Sequence, residues 1–245
     1  MNWMAKTRLG TVPTRHSGAV GSGSNAGSAA TAAKPGPSHA ADSSPNTRVS
    51  NSLKEFLWLL SDIPHARILD LGPIAQSTVN FFLEKGFRLS TEDLLRTWKE
   101  FLTTEEERLR VAPARADGEP VSQEAFVEKF LNVALEYKPS NFNGVLAWDL
   151  LDYFDVAIVP TLMEKIYDIM APGAAMLALF HSKPAERFHR FRIIDTQKFE
   201  AVASPTITVH AHVFQNREIL DLFGKFRSSK TFVGRDQIRE ALFLK

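Results

Sequence analysis

The run Ala66-Arg67-Ile68-Leu69-Asp70-Leu71-Gly72-Pro73-Ile74-Ala75-Gln76 constrains the fold more than any other stretch of this chain. An apolar strand ends on an acid and a glycine, and Ser77-Thr78 then open an apolar helix through Val79, Phe81, Phe82 and Leu83. A parallel strand that stops at such a turn leaves backbone N–H groups and a helix N-terminus facing the crevice beyond the sheet, where open α/β sheets bind ligands. Gly86 closes the helix at a position where a left-handed backbone favours glycine. Phe87 to Thr91 then alternates as a short strand and ends at Glu92-Asp93. Strand, helix and strand within about thirty residues is the size of a βαβ unit.

The same grammar continues on both sides. Leu53, Phe56, Leu57, Leu59, Leu60 and Ile63 recur at helical spacing before Pro64. Between Leu94 and Pro139 two further apolar stripes predict helices, the second opening at Ser122 as N-cap, with Arg110 to Pro120 as an exposed loop between them. Gly144 to Trp148 is a strand followed directly by Asp149, and Thr161 to Met170 a helix stopped by Pro172-Gly173. Ala174 to Phe180 is continuously apolar, as central parallel strands are. Ile207 to Phe214 is apolar and β-branched and is read as a strand, Asn216 to Phe223 as a short helix, and Phe226 to Val233 with Glu240 to Leu244 as two closing strands. Alternating strands and helices predict a three-layer α/β/α sandwich, Rossmann-like, over residues 51–245.

Residues 1–50 are a different material, rich in Ala, Gly, Ser, Thr, Pro and Asn, with Asp42 as the single acid. Such a segment buries too little apolar surface to offset its ordering entropy, so it is read as a disordered low-complexity tail. Neither a secretory apolar core nor a bilayer-length apolar run occurs, which predicts a soluble, cytoplasmic protein with no membrane partner. The net charge of +1 gives no electrostatic case for nucleic acid. The absence of cysteine removes disulfides, thiolate metal sites and thiol nucleophiles.

Taken in order, these strand ends resemble the class I S-adenosylmethionine-dependent methyltransferases. The likeness runs from about Leu53 to Lys245. Asp70-Leu71-Gly72 resembles the family's opening loop, Glu92 or Asp93 the acid that meets ribose hydroxyls, Phe142 to Tyr153 the fourth-strand motif, and Met170-Ala171-Pro172-Gly173 the leader into the fifth strand. The resemblance implies a mostly parallel sheet with a C-terminal antiparallel strand and S-adenosylmethionine as cofactor. It further implies binding residues at Asp70, Gly72, Pro73, Ile74, Glu92, Asp93, Asp149, Leu150 and Leu151, and transfer of a methyl group to an unidentified small-molecule acceptor.

The residues also carry a second reading. Ile74 and Gln76 stand where the family's loop continues with glycines that let backbone approach the ligand, and Asn143 and Ala175 depart from the pattern elsewhere. These departures point to a catalytically inactive methyltransferase-like binding or regulatory module. No catalytic base is assigned, because methyl transfer is mainly alignment of a nucleophile and exclusion of water. Asp149 at a strand end has the best case and a helix cap is its alternative role. His181 is the histidine best placed for proton transfer. His189, His210 and His212 alternate without an accompanying carboxylate pattern, so no metal site is expected. The basic run Lys183, Arg187, His189, Arg190 and Arg192 is read as a solvated loop face.

Overall fold

The computed structural model describes residues 46–111, 122–204, 209–234 and 237–245. Its main sheet has six strands: β2 (Arg67–Asp70), β3 (Arg88–Thr91), β4 (Phe142–Trp148), β5 (Met170–His181), β8 (Ser228–Val233) and β9 (Ile238–Leu244), in the order β3-β2-β4-β5-β9-β8. The first four in that order are parallel, β9 runs antiparallel to β5, and β8 antiparallel to β9. The alternating pattern predicts the α/β sandwich, and the mostly parallel sheet with an antiparallel C-terminal pair is the arrangement that the resemblance implies. From β2 the chain steps to β3 on one side and returns to β4 on the other, so the switch point of the sheet lies between the ends of β2 and β4.

Alternation along the central strands divides the core into two layers. Val145, Ala147, Met176, Ala178 and Phe180 face the side covered by α3 (Leu94–Val111), α4 (Gln123–Ala134), α5 (Val159–Ile169) and α6 (Asn216–Leu222). Ile68, Leu146, Trp148, Leu177 and Leu179 face the side covered by α1 (Asn51–Leu60) and α2 (Gln76–Glu84). Helix α1 lies so close to the sheet that a Cβ at Gly144 would stand 2.7 Å from Phe56 Cζ. Gly86 follows α2 with φ +75, the left-handed closure expected there.

Three features differ from the sequence reading. The first is a second, three-stranded antiparallel sheet, β1 (Thr47–Val49), β7 (Lys198–Ala203) and β6 (His189–Ile193), of which β1 lies in the segment read as tail, β6 in the run read as solvated basic loop, and β7 where the sequence reading assigns no element. Its inner residues Phe191, Ile193 and Phe199 join the core layer that contains Trp148. The low-complexity tail therefore ends before Thr47, and of that reading 1–45 lies outside the described residues. Secondly, α5 ends at Ile169 and Pro172-Gly173 already belongs to β5. Thirdly, 209–214 forms no strand: Ala211 and His212 donate their N–H groups to the Asp152 carbonyl at 2.8 and 3.1 Å instead of entering a ladder. The remainder of that expected strand, and 112–120 of the loop expected at 110–120, lie outside the described residues.

The small sheet is tied to the large one through Glu240 of β9, which is 3% exposed. Its carboxylate accepts from Arg48 Nε at 2.8 Å, Ser50 Oγ at 2.7 Å, Ser52 Oγ at 2.5 Å and the Ser52 backbone N–H at 3.2 Å. Ser50 is also the N-cap of α1. Removing one partner of a buried charge pair strands the other, at a cost of about 3–5 kcal/mol. Glu240→Ala is therefore expected to lower the unfolding free energy by about 3 kcal/mol, whereas Ser52→Ala loses about 1 kcal/mol. Urea titrations followed by circular dichroism check both values, and equal losses would show that no buried charge is stranded.

Candidate functional site: a crevice closed by Trp148

The parallel strands deliver their polar residues to one end of the sheet: Asp70 and Gly72 after β2, Glu92 and Asp93 after β3, Trp148 and Asp149 at β4, His181 at β5. At the switch point between β2 and β4 the space is taken by an indole. Trp148 is 3% exposed, and a Cβ on Gly72 would meet its Cδ1 at 2.7 Å. The single glycine of the loop thus makes room for a side chain of the same protein. Trp148 Nε1–H donates to Asp70 Oδ1 at 2.8 Å, and the Gly72 N–H donates to the same oxygen at 3.0 Å. On its other side the indole stacks on Phe191, with centroids 5.4 Å apart and planes 12° apart, and meets the edge of Phe199. Trp148 holds φ +48, a left-handed backbone that costs a non-glycine residue about 1 kcal/mol, and the β4–β5 register shifts between Leu146 and Trp148.

What remains of the crevice, bounded by Gly72, Pro73, Asp93, Trp148, Asp149 and Phe191, is about 10 Å³. That is at the lower limit for a single water molecule. Among the described residues, this crevice therefore has no room for an adenosyl group while the indole stays in place. Burial pushes the Asp70 carboxyl up to about 7; the Gly72 and Trp148 donors oppose the rise and the Asp93 charge adds to it.

The other expected site residues are distributed as follows. Pro73 lines the crevice, whereas Ile74 is 60% exposed and turns away from it. Gln76 bonds to Asn80 on the surface of α2. Glu92 accepts the Thr97 hydroxyl at 2.6 Å, and Asp93 accepts the Arg96 N–H at 3.2 Å, so both acids serve the start of α3. Leu150 and Leu151 are buried in the helical core layer. The structure thus brings Gly72, Pro73, Asp93, Asp149 and Leu150 to one crevice, with Asp70 bonded to its Trp148 and Gly72 walls, and leaves Ile74 outside it.

Beside the crevice lies a polar cluster that the linear sequence conceals. Asp149 is followed by a 3₁₀ turn, Leu150–Tyr153, that carries Asp152 at 0% exposure. The His181 backbone N–H donates to Asp152 Oδ2 at 2.7 Å, and His181 Nδ1 lies 2.9 Å from the same oxygen. The two main-chain bonds from Ala211 and His212 to the Asp152 carbonyl bring His210 in, with Nε2 3.4 Å from Asp152 Oδ2. His181 Nε2 stands 3.8 Å from Asp149 Oδ2. Burial also raises Asp149 to about 7; the His181 and Tyr153 side chains oppose this and Asp152 adds to it. Burial, reinforced by the two aspartates, pushes the Tyr153 hydroxyl upward as well. His181 forms part of the wall of an open cavity of about 680 Å³, together with Arg48, Lys183, Arg187, His189 and Phe191. His212 turns to Glu218, with Nε2 3.0 Å from its carboxylate.

No protein-family model and no curated protein matches the chain. Among solved structures it is similar to a SAM-dependent methyltransferase from Methanosarcina mazei, at 14% identity and a TM-score of 0.40 over 74% of this chain and 93% of that one. A SAM-dependent methyltransferase from Archaeoglobus fulgidus aligns at 11% identity and TM-score 0.44, over 79% and 91%. The 1,6-didemethyltoxoflavin-N1-methyltransferase of Burkholderia thailandensis, solved with 1,6-didemethyltoxoflavin and S-adenosylhomocysteine, aligns at 14% and 0.40, over 80% and 77%. Alignments at this distance assign no chemistry to the chain.

A carboxyl whose folded pKa is raised binds its proton more tightly folded than unfolded. Its contribution is complete below the unfolded value and is lost as pH rises to the folded one. For Asp70 the loss runs from about pH 4 to about 7 and then levels off. Asp70→Asn keeps an oxygen for the Gly72 and Trp148 donors and abolishes the titration. Its unfolding free energy is expected to be flatter than the native protein's over that window, by on the order of 2 kcal/mol. Parallel slopes in denaturant titrations at pH 4.5 and 7.5 would show that Asp70 does not carry this proton.

Proposed function

We propose that this protein is a methyltransferase-like binding module whose cofactor crevice is held shut by its own Trp148, and that S-adenosylmethionine enters only with the indole displaced. The observation that carries the reading is the indole lying over Gly72 and bonded to Asp70, where the family resemblance places the ligand. Exposing a buried tryptophan costs about 4–6 kcal/mol, from its 150–250 Å² of surface at about 25 cal/mol per Å². A displacement cost of about 4 kcal/mol weakens an intrinsic micromolar affinity to the millimolar range. Closure therefore dominates at ordinary cofactor concentrations unless a partner or acceptor contributes the difference.

A second reading, methyl transfer to a small-molecule acceptor, is favoured by one feature. His181 faces the cavity of about 680 Å³ with Asp149 and Asp152 behind it, an arrangement suited to holding an acceptor's proton beside the crevice. Asp70, Gly72, Pro73 and Asp149 are the residues that would face the cofactor once Trp148 leaves. Ile74 would not, given its exposure.

Titration calorimetry of S-adenosylmethionine and S-adenosylhomocysteine against the native protein and Trp148→Gly separates the readings. Glycine removes the indole and accepts the positive φ, and circular dichroism checks that the variant folds despite losing a large core side chain. Binding on the order of a thousandfold tighter in the variant is expected from the displacement cost of about 4 kcal/mol. Equal, tight binding to both forms would remove the closure. No binding to either would leave a module that does not use this cofactor.

A further inference from the structure

We propose that Asp152, His181 and His210 form a binding site for a divalent transition-metal ion, with Asp149 as the outer carboxylate that orients His181. One ligand atom from each of the three lies within 4.8 Å of the others, a few tenths of an ångström beyond the roughly 4.4 Å that a shell with bonds of about 2.0–2.2 Å spans at most, so small side-chain rotations close it on an ion. The donor set is two imidazole nitrogens and one carboxylate oxygen, which suits zinc and its neighbours in the first transition row and not calcium or magnesium.

Two further observations point to a ligand. Among the described residues, His210 Nε2 and Asp152 Oδ1 are buried without a hydrogen-bond partner, on side chains that are 4% and 0% exposed. Buried polar atoms of this kind ordinarily find a partner, because leaving one unmade costs about 1–3 kcal/mol. A metal ion satisfies both at once. The supporting shell is also present. Asp152 Oδ2 is fixed by the His181 backbone N–H, the turn carrying Asp152 is fixed by the Ala211 and His212 N–H groups, and His181 turns its second ring nitrogen toward Asp149 Oδ2 at 3.8 Å. Coupling a metal-bound imidazole to an outer carboxylate is the usual means of fixing the ring and its tautomer. His181 is also part of the wall of the cavity of about 680 Å³, which gives an ion a route in from solvent and leaves three protein ligands with open positions beside that space. None of the three ligands lines the crevice under Trp148, which shares only Asp149 with the site, and zinc binding does not depend on S-adenosylmethionine.

The test is titration of untagged full-length protein, stripped with a chelator, with zinc chloride by calorimetry and with cobalt(II) by visible absorption. One equivalent of zinc is expected to bind in the micromolar range or tighter, with cobalt developing the d–d bands of a low-coordinate site. His210→Ala and Asp152→Asn are expected to weaken zinc on the order of a hundredfold, Asp149→Asn about tenfold, and His212→Ala not at all. Native protein that takes up no zinc at 100 μM (~20 times a 5 μM site), or His210→Ala binding unchanged, overturns the proposal. Circular dichroism shows whether each variant is folded. Should Asp152→Asn fail to fold, His210→Ala alone decides, since His210 sits on a segment outside helix and strand.

Discussion

The hydrogen bond from the Trp148 indole to Asp70 is the contact on which the rest of the site depends. It joins the ends of the two strands that flank the switch point and fills the space between them. It also gives a buried carboxylate a donor that does not come from solvent. Around it the chain has built a second layer of enclosure. Phe191 and Phe199 of the small sheet press on the indole from the far side, and Thr78 at the start of α2 accepts the Ile193 N–H, which fastens that sheet over the mouth of the loop. The fold thus keeps an open α/β sheet while filling its switch point with core.

This arrangement explains why the loop tolerates bulky residues. Ile74 and Gln76 stand where glycines are expected in an open loop, yet neither obstructs the crevice, because the obstruction comes from β4 and not from the loop. Gly72 is required for a close approach, and what approaches is the Trp148 ring. Closure at the switch point leaves the neighbouring cavity, with His181 at its edge and the aspartates behind, as the open polar space at this end of the sheet among the described residues.

Much of the main sheet was legible from residues alone. The apolar runs at Ile68-Leu69, Val145 to Trp148 and Ala174 to Phe180, each ending at a polar residue, gave the parallel strands, and the closing pair followed from Phe226 to Leu244. The small sheet was not, because its strand 189–193 alternates Phe191 and Ile193 with Arg190 and Arg192, and the density of charge reads as a solvated loop. Its period of two was present and was outweighed by composition. Over 209–214 the expected strand is missing for the opposite reason: β-branched residues favour extended backbone, but the Ala211 and His212 N–H groups found the Asp152 carbonyl and not a neighbouring strand. Asp152 and His181 are 29 residues apart, so no local spacing announces their contact. The crevice residues were legible as a set, whereas the inward turn of Trp148 depends on register and on a positive φ that no sequence pattern displays.

The most direct test of the closed crevice is a crystal structure of the native protein grown with and without millimolar S-adenosylhomocysteine. Without the ligand, the account requires the indole over Gly72 and bonded to Asp70. With it, adenosyl density occurs only where Trp148 has left that position. An adenosyl group bound between Gly72 and Asp149 with the indole unmoved would contradict the account.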